Sequence, residues 1–591
     1  MAILVHAPKP RVLIPEKVSP DGLALLKGQF EVDEKKGLSP EELKSIIGNY
    51  EALIVRSETK VTAELLTAAT KLKVVARAGV GVDNVDVQSA TKQGIIVVNS
   101  PSGNINAAAE HTIALMMAVS RNIGDADASL KSGKWERSRL VGVEAKGKTL
   151  AIVGLGKVGL TVARIANGFG MRLIAYDPYA NPNLAAAASV TLKPSLLDIL
   201  KEADFLTLHT PLIASTRGMI GAAELATMKS TARILNVARG GMIDETALLE
   251  ALTAGTIAGA GIDVWTSEPP EPESPATRLI AHPKVVSTPH LGASTKEAQE
   301  NVSIDVCEQV VSILSGELPR SAVNAPIILP EEYRTLQPFV TLVEKMGSLY
   351  TQHYSSHFTT SGKTAQQFRT TFDITYEGSL TNLNTTKPLF AALVKGLLTP
   401  FTSSDGLNIN IVNAELLAKE RGILINESRS RENIEDKPYS SFVTLRARAS
   451  RSPSHQRTGL SRSNSPATSK SIKPQEQEDQ VIQGFVSANK SYISRLDRFK
   501  GEFVARGTLL ICRNFDSCGK IGFVGSVLGK AGVNIKSMSV APLHEEAEEV
   551  DGDVEGNEAL MILGVDKPVD ESVVKRLIGE QGVLEANVVT L

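Results

Sequence analysis

The turn Gly154-Leu155-Gly156-Lys157-Val158-Gly159 constrains this chain more than any other stretch of it. It directly follows the apolar run TLAIV and opens the helix-period stretch LTVARIANGFG. A glycine triplet of this spacing means little alone; set between a strand and a helix it reads as a dinucleotide-binding βαβ unit. Gly154 permits the tight turn, Gly156 lets the backbone approach a pyrophosphate, and Gly159 lets the helix pack on the strand, with Lys157 and Val158 completing the loop. The helix N-terminus then faces the phosphate charge. Asp177 stands eighteen residues past Gly159, at the end of MRLIAY. A carboxylate there binds ribose hydroxyls and repels a 2′-phosphate, so the expected cofactor is NAD rather than NADP.

Around this turn, from residue 10 to about 330, short β-branched runs alternate with helix-period stretches. RVLIP, ALIVRS, LKVVARAG and IIVVNSP precede the turn, and MRLIAYDP, DFLTLHTP, ARILNVARGG, IAGAGIDVW and KVVSTPH follow it. Between the early runs, SPDGLALLKG, SPEELKSII and TAELLTAAT each open on a Ser or Thr able to cap a helix. This is the rhythm of doubly wound parallel sheets, given twice. Residues 104–127 read as a long connecting helix and 296–315 as a second one that returns the chain. The expected organisation is a flavodoxin-like lobe over 9–105 and 305–326 and a Rossmann lobe over 106–304, with a ligand cleft between them.

Beyond residue 330 the pattern changes. Residues 331–500 mix helical stretches with alternating strands, among them TAQQFRTTFDITYEG (364–378) and LNINIVNAELLAKERGI (407–423). An insertion over 446–478 interrupts this domain. Its first 29 residues, 446–474, hold five Arg, two Lys, eight Ser and no acid, a composition expected to be disordered. It reads as a tolerated loop insertion. The other reading is a phosphorylation segment, with Ser450, Ser452-Pro and Ser465-Pro as its sites. Residues 507–591 run strand, helix, strand, strand, helix, strand, the order of a small ferredoxin-like α+β domain.

Composition narrows the function classes. The 591 residues suffice for three to five domains. With 63 basic and 65 acidic residues the net charge is −2, which gives no general attraction to nucleic acid or to a membrane surface. No apolar run approaches the ~18 residues that span a bilayer. The opening MAILVHAPKPRVLIPEK reads as neither a secretory nor a transit leader, so none is expected there. Three cysteines make no disulfide framework, so a reducing, cytoplasmic setting is expected. Cys512 and Cys518 read as buried free thiols.

Three polar residues end successive strand runs of the second lobe: Arg239, Glu268 and His290. An Arg can hold a carboxylate bidentately, a His can take a hydroxyl proton as hydride leaves, and a Glu can hold that imidazole. The residues alone leave open that the three are unrelated loop ends. Arg56 and Arg77, at strand ends of the first lobe, are either a second anion clamp or surface arginines. His111 reads as packed or capped within its helix, and His209 as a strand-end residue without an obvious proton partner. His353 and His357, four apart without Cys or carboxylate nearby, do not suggest a metal site, and none is expected.

These motifs, with VRSETKVT (55–62), VVARAGVGVDNVDV (74–87), VVNSPSGNINAAAEHT (97–112), NVARGGMIDETAL (236–248) and STPHLGAST (287–295), resemble the D-isomer-specific 2-hydroxyacid dehydrogenases. The likeness covers about the first 325 residues and is strongest to the long branch that oxidises D-3-phosphoglycerate; the tail is similar to that branch's allosteric-substrate-binding and ACT domains. The resemblance implies NAD-dependent oxidation of 3-phosphoglycerate to 3-phosphohydroxypyruvate, the first step of L-serine biosynthesis. It implies that Arg239 binds the carboxylate, that His290 is the acid/base and that Glu268 pairs with it. Gly154, Gly156, Lys157, Val158, Gly159 and Asp177 would hold NAD, with Thr210, Pro211, Ala238, Asp263 and Gly292 lining the site. Arg56, Ser57, Arg77, Gly81 and Asn104 would meet the substrate. It further implies a homodimer or homotetramer, with Trp135, Arg137 and Arg139 reaching a partner subunit unless they form a solvated basic loop.

Relatives with a serine-binding ACT domain suggest Asn514, Asp516 and Asn534 as effector positions. Only Asn534 matches the pattern there, so L-serine inhibition and a purely structural domain both stand. Lys387, Lys395, Arg421 and Arg495 are candidates for an anion site in the intervening domain. The competing functions are a glyoxylate or hydroxypyruvate reductase, which needs no second anion clamp, and an NADH-sensing corepressor-type binding protein.

Overall fold

The apolar runs of the first third become strands buried along nearly their whole length, as parallel strands covered on both faces must be. In this computed structural model, residues 8–354, 357–359, 362–364, 369–401, 408–430, 439–448, 480–543, 558–578 and 582–591 are described. One parallel sheet has the order Glu31–Glu34, Arg11–Ile14, Ala52–Val55, Val74–Arg77, Ile96–Asn99. A second has the order Val285–Ser287, Gly259–Ile262, Arg233–Asn236, Phe205–Leu208, Thr149–Val153, Arg172–Tyr176, Val190–Leu192. Thr149–Val153 pairs in parallel with both Arg172–Tyr176 and Phe205–Leu208. The chain winds one way from it and then the other, so the switch point of the sheet lies where the glycine turn begins.

The helix starts follow the capping chemistry. Ser19, Ser39 and Thr62 each accept a hydrogen bond from a first-turn amide, and Ser39 forms a full capping box with Glu42. The connecting helix differs from expectation. It ends at Ser120, and a second helix, Ile123–Lys131, follows, with Asn122 between them in the left-handed region at φ +51°. Asn tolerates that conformation better than most residues, which lets the chain turn there. The returning helix is continuous over Lys296–Leu314. The boundaries expected at 105/106 and 304/305 therefore fall inside or at the start of helices.

Contacts divide the chain into two units. One comprises residues up to Lys60, Val74–Val85 and Val98–Ser315; the other comprises Val61–Lys73, Asp86–Val97 and Gly316–Leu591. In the second unit the Val97 amide donates to Asn324 Oδ1 at 2.9 Å. Asn408 and Asn410 both donate to the Gly94 carbonyl, at 3.1 and 2.6 Å. These bonds tie Asp86–Val97 to the C-terminal half of the chain.

The described residues of that half form two six-stranded sheets. The first has the order Leu424–Arg429, Thr371–Gly378, Ser441–Ala447, Gln480–Ser487, Lys490–Leu496, Phe499–Val504. Of the expected strand over 407–423, residues 408–423 form none, and Ala414–Glu420 is a helix; residue 407 lies outside the described residues. The asparagines explain it, because Asn413 Oδ1 accepts the Asn410 amide and Asn410 Oδ1 accepts the Val412 amide, which folds a turn in place of a ladder. Of the 446–478 insertion, residues 446–448 finish a strand and its exit; from 449 to its end it lies outside the described residues.

The second sheet contains Val583–Thr590, Thr508–Phe515, Glu558–Val565 and Ile535–Pro542 in that spatial order, the ferredoxin-like arrangement expected for 507–591. A hairpin, His357–Thr359 with Gly362–Thr364, extends it along Val583–Thr590, so this sheet draws strands from before the intervening one. Alternation assigns its two faces. Leu509 and Ile511 join the core of the intervening sheet, while Leu510 and Cys512 face Val524, Leu528 and Val574 of the covering helices. Cys518, beyond the strand end, is exposed; only Cys512 of the expected buried pair is buried. Among the described residues no helix is long and apolar enough to cross a membrane.

Candidate active site

The nucleotide turn is built as its sequence requires. Gly154 has φ +90°, and a Cβ there would lie 2.6 Å from the His209 carbonyl. A Cβ on Gly159 would lie 2.2 Å from the Gly154 carbonyl, while one on Gly156 would meet nothing within 4 Å. Gly154 and Gly159 therefore serve packing, and Gly156 keeps an open face. Helix Lys157–Gly168 begins there with no side-chain cap, so its first amides face outward. Asp177 Oδ2 accepts the Leu155 amide and Oδ1 the Tyr179 amide, each at 2.8 Å, which fixes the carboxylate beside the turn. An open glycine face, an uncapped helix start and a fixed carboxylate fit the pyrophosphate and ribose of NAD. Val158 is half-buried, and Lys157 Nζ donates to Ser102 Oγ at 2.7 Å. A cavity of about 750 Å³ adjoins this contact, lined by Ser102, Asn106, Lys157, Thr161, Arg164 and others.

At the carboxyl ends of the same sheet, His290 Nδ1 lies 2.6 Å from Glu268 Oε2, and Glu268 Oε1 accepts the Trp265 amide at 3.0 Å. Burial pushes the Glu268 carboxyl up; the bonds from His290 and Trp265 outweigh it and hold the group below the ordinary glutamate value. An ionised Glu268 can only accept, so Nδ1 carries a proton, and in the neutral ring Nε2 presents a lone pair. Nε2 has no partner among the described residues. His290 itself is left-handed, at φ +56°.

Arg239 ends the turn after Arg233–Asn236. The buried Asn236 folds that turn, donating to the Arg239 carbonyl at 2.8 Å and accepting the Ala238 amide at 3.1 Å. Arg239 Nε reaches Asp83 at 3.1 Å and Nη1 the Ala238 carbonyl at 2.7 Å, leaving Nη2 over Gly81, where a Cβ would be 1.9 Å away. Arg77 folds over Gly79 in the same manner, and its Nε is buried without a partner. Burial, and next the charge of Arg239, push the Arg77 guanidinium below its ordinary value; Asp83 and Glu16 oppose this and Arg56 adds to it. Arg56, Arg77 and Arg239 therefore share one electrostatic neighbourhood. The buried Glu16 holds the Arg56 loop, accepting the amides of Arg56, Glu58 and Thr59. Ser57 is exposed, and Asn104 begins the connecting helix without a side-chain capping bond.

Thr210 Oγ1 approaches Met242 Sδ at 3.5 Å, and the Pro211 carbonyl accepts from Thr216 at 2.6 Å. Gly292 packs so closely that a Cβ would lie 2.9 Å from Val237 Cγ1. Asp263 is fully buried and accepts the Leu291 and Gly292 amides at 2.7 and 2.8 Å. His111 corrects expectation: it is not merely packed, since its Nε2 lies 3.2 Å from Asp263 Oδ1 and 3.0 Å from Thr288 Oγ1. His209 also has a partner, Thr207 Oγ1 at 3.0 Å, and burial pushes its imidazole down to about 4. Reading the sequence missed His111, Thr288, Asn236, Asp83 and Glu16. Among these, Glu16 carries a signal, as a carboxyl two residues past the end of the buried strand Arg11–Ile14.

The other candidates separate. Asn514 is 3 % exposed and gives its amide to the Phe515 carbonyl, while Asp516 and Asn534 are exposed. Lys387 pairs with Glu415 at 3.8 Å, Lys395 with Glu344 at 2.8 Å, and Arg495 donates to the Asp497 carbonyl, so three of these four candidates have partners within their own chain; Arg421 is exposed. Arg139 bonds Asp125 and Glu136 of its own chain, whereas Trp135 is 82 % exposed. Among the described residues no three His, Cys, Asp or Glu are grouped to hold a metal.

Residues 113–292 match the family model of the D-isomer specific 2-hydroxyacid dehydrogenase NAD binding domain, and residues 335–466 that of the D-3-phosphoglycerate dehydrogenase intervening domain. D-3-phosphoglycerate dehydrogenase 2 of Arabidopsis thaliana is 41% identical over 98% of this chain and 86% of its own length. D-3-phosphoglycerate dehydrogenase of Archaeoglobus fulgidus is 37% identical over 98% of this chain and 100% of its own. A solved structure of a Thermus thermophilus protein, 35% identical, covers 53% of this chain and 99% of its own at a TM-score of 0.49. The full-length likeness and the two domain matches agree with the residues just described, and the chain belongs to the D-3-phosphoglycerate dehydrogenase family of D-isomer specific 2-hydroxyacid dehydrogenases.

Proposed function

We propose that the protein oxidises D-3-phosphoglycerate to 3-phosphohydroxypyruvate with NAD, opening L-serine biosynthesis. The observation that carries this reading is the trio Arg56, Arg77 and Arg239, one member of which keeps a buried nitrogen unpaired. Three guanidinium groups in one neighbourhood suit a substrate with two anionic ends, and a lactate- or glyoxylate-sized acid has only one. The printed names of full-length relatives name the same substrate.

In this reading the free Nη2 of Arg239 takes the carboxylate, and Arg56 and Arg77 take the phosphate with Ser57, Gly81 and Asn104. Glu268 keeps the proton on Nδ1 of His290, so Nε2 accepts the C2 hydroxyl proton as that carbon is oxidised. Gly154, Gly156, Lys157, Val158, Gly159 and Asp177 hold NAD, with Thr210, Pro211, Ala238, Asp263 and Gly292 around it. When bound, NAD supplies the hydride acceptor. The exposed Trp135 and Val141, 82 % and 78 % accessible, with Ile123 and Leu130, support a homodimer through that surface, and a tetramer would add contacts elsewhere. L-serine is the proposed effector, contacting the exposed Asp516 and Asn534 of the last domain; Asn514 would serve only as their buried support.

NADH formation from D-3-phosphoglycerate, with and without L-serine, tests both readings. Turnover establishes the substrate, and no turnover with phosphoglycerate but NADH oxidation by glyoxylate overturns it. Inhibition that is lost in Asn534→Ala supports the effector site, and a serine-insensitive enzyme removes it.

A further inference from the structure

We infer that His111 is a positioning residue for the reaction: through Asp263 it fixes the backbone of the 288–292 loop on which His290 stands. The inference rests on the function proposed above and adds to it a residue from a different element, the connecting helix Ile105–Ser120.

The geometry is a short relay. Thr288 Oγ1 lies 2.5 Å from Asp263 Oδ1, and a carboxylate can only accept, so the hydroxyl proton goes to Asp263. The Thr288 oxygen is then free to accept, and both neighbours of His111 Nε2 are acceptors, so Nε2 carries the ring proton and donates to the pair. Asp263 collects three further bonds: the Leu291 amide on Oδ1, the Gly292 amide on Oδ2, and the His290 amide on its backbone carbonyl at 2.8 Å. Three consecutive amides thus end on one residue. That matters because His290 is left-handed, a conformation a non-glycine residue keeps only when its surroundings hold it. Asp263 is fully buried, and its charge is tolerable there only while its donors are present. Burial pushes this carboxyl up, and the His111 bond heads the interactions that bring it below the ordinary aspartate value.

His290 is consequently gripped at two points. Glu268 orients the ring, and Asp263 sets the backbone beneath it. Each carboxylate is matched to one imidazole, Glu268 to His290 and Asp263 to His111, and only the first pair is placed to touch substrate. Removing His111 while Asp263 stays in place should leave both ligands bound and the reacting atoms misaligned.

The test compares the full-length protein with His111→Phe, His111→Gln and Thr288→Val. Each is assayed for kcat and KM with phosphoglycerate, NADH affinity, thermal stability, and the isotope effect on substrate deuterated at C2. His111→Phe is expected to lower kcat on the order of 10–100-fold, the scale of lost orienting partners and ångström misplacements. KM and NADH affinity should stay within about twofold, and the isotope effect should rise. His111→Gln, whose amide can donate in place of Nε2, should restore most of kcat. An unchanged kcat in His111→Phe, a loss shared equally with ligand binding, or no rescue by Gln overturns the inference. If His111→Phe does not fold, Thr288→Val decides: a fall in kcat at constant KM supports the relay, and parental kcat sinks it. Should the parent fail to oxidise phosphoglycerate, the proposed function falls. The same ratios measured in hydroxypyruvate reduction with NADH would then judge His111 separately.

Discussion

The strand ends of the two parallel sheets and the intervening domain both carry cationic side chains, and the two sets differ in how their nitrogens are used. Around the strand ends, Arg77 keeps a buried nitrogen unpaired, Arg239 keeps Nη2 free although its Nε meets Asp83, and His290 keeps a ring nitrogen free. In the intervening domain Lys387 and Lys395 each meet a glutamate, and Arg495 is taken by a backbone carbonyl. Residue type distinguishes the two sets poorly; a buried nitrogen without a partner, at Arg77, marks the first. A cation satisfied by its own chain stabilises locally at best, while one held unsatisfied near others of its kind raises the local attraction for an anion.

The largest effect should come from His290→Asn, for which kcat is expected to fall on the order of 10²–10⁴-fold. NADH affinity, read by fluorescence titration, should be unchanged; a parallel loss of affinity would make His290 a structural residue. Next, the double variant Arg56→Ala/Arg77→Ala should lose about 10²-fold in kcat/KM for phosphoglycerate, roughly 3 kcal/mol. Its reduction of unphosphorylated hydroxypyruvate should change far less. Equal losses on both substrates would place the phosphate elsewhere.

The third prediction concerns pH. His209 is held near 4 in the folded chain against an ordinary value of 6.5. Below pH 6.5 the unfolded chain therefore takes up a proton that the folded chain refuses until about pH 4, and stability falls as pH drops through that window. The contribution is at most ~3 kcal/mol. Urea midpoints of the parent and His209→Gln at about pH 7 and about pH 4.5 should show a shallower acid slope in the variant, and identical slopes would remove His209 from the acid response. Smallest of all should be Lys395→Ala. Its half-exposed pair with Glu344 should cost less than ~0.5 kcal/mol by thermal melting and leave kinetics untouched. Loss of activity there would reverse the contrast between the two regions.

Local patterns carried the parallel sheets, the capped helices and the glycine turn because each depends on residues near in sequence. Ser39 with Glu42 is legible three residues apart, and so is the strand–turn–helix around Gly154. The break at Asn122 and the helix over Ala414–Glu420 escaped the same reading. Both turn on side-chain or backbone preferences of asparagine that compete with the hydrophobic period. At the site, Arg239, Glu268 and His290 were nameable because strand ends in such sheets converge, and Glu268 and His290 do meet there.

By itself, the sequence determined the two doubly wound sheets, the dinucleotide turn with Asp177, the ferredoxin-like tail and the chemical types available at the strand ends. Only the tertiary structure decided which of those groups are spoken for. His111 and Asp263 are 152 residues apart, and Arg239 and Asp83 are 156. No periodicity links such positions. Whether a histidine is packing or a partner, and whether an arginine is paired or free, depends on what the folded chain brings within about three ångströms of it, and on whether burial makes that partner indispensable.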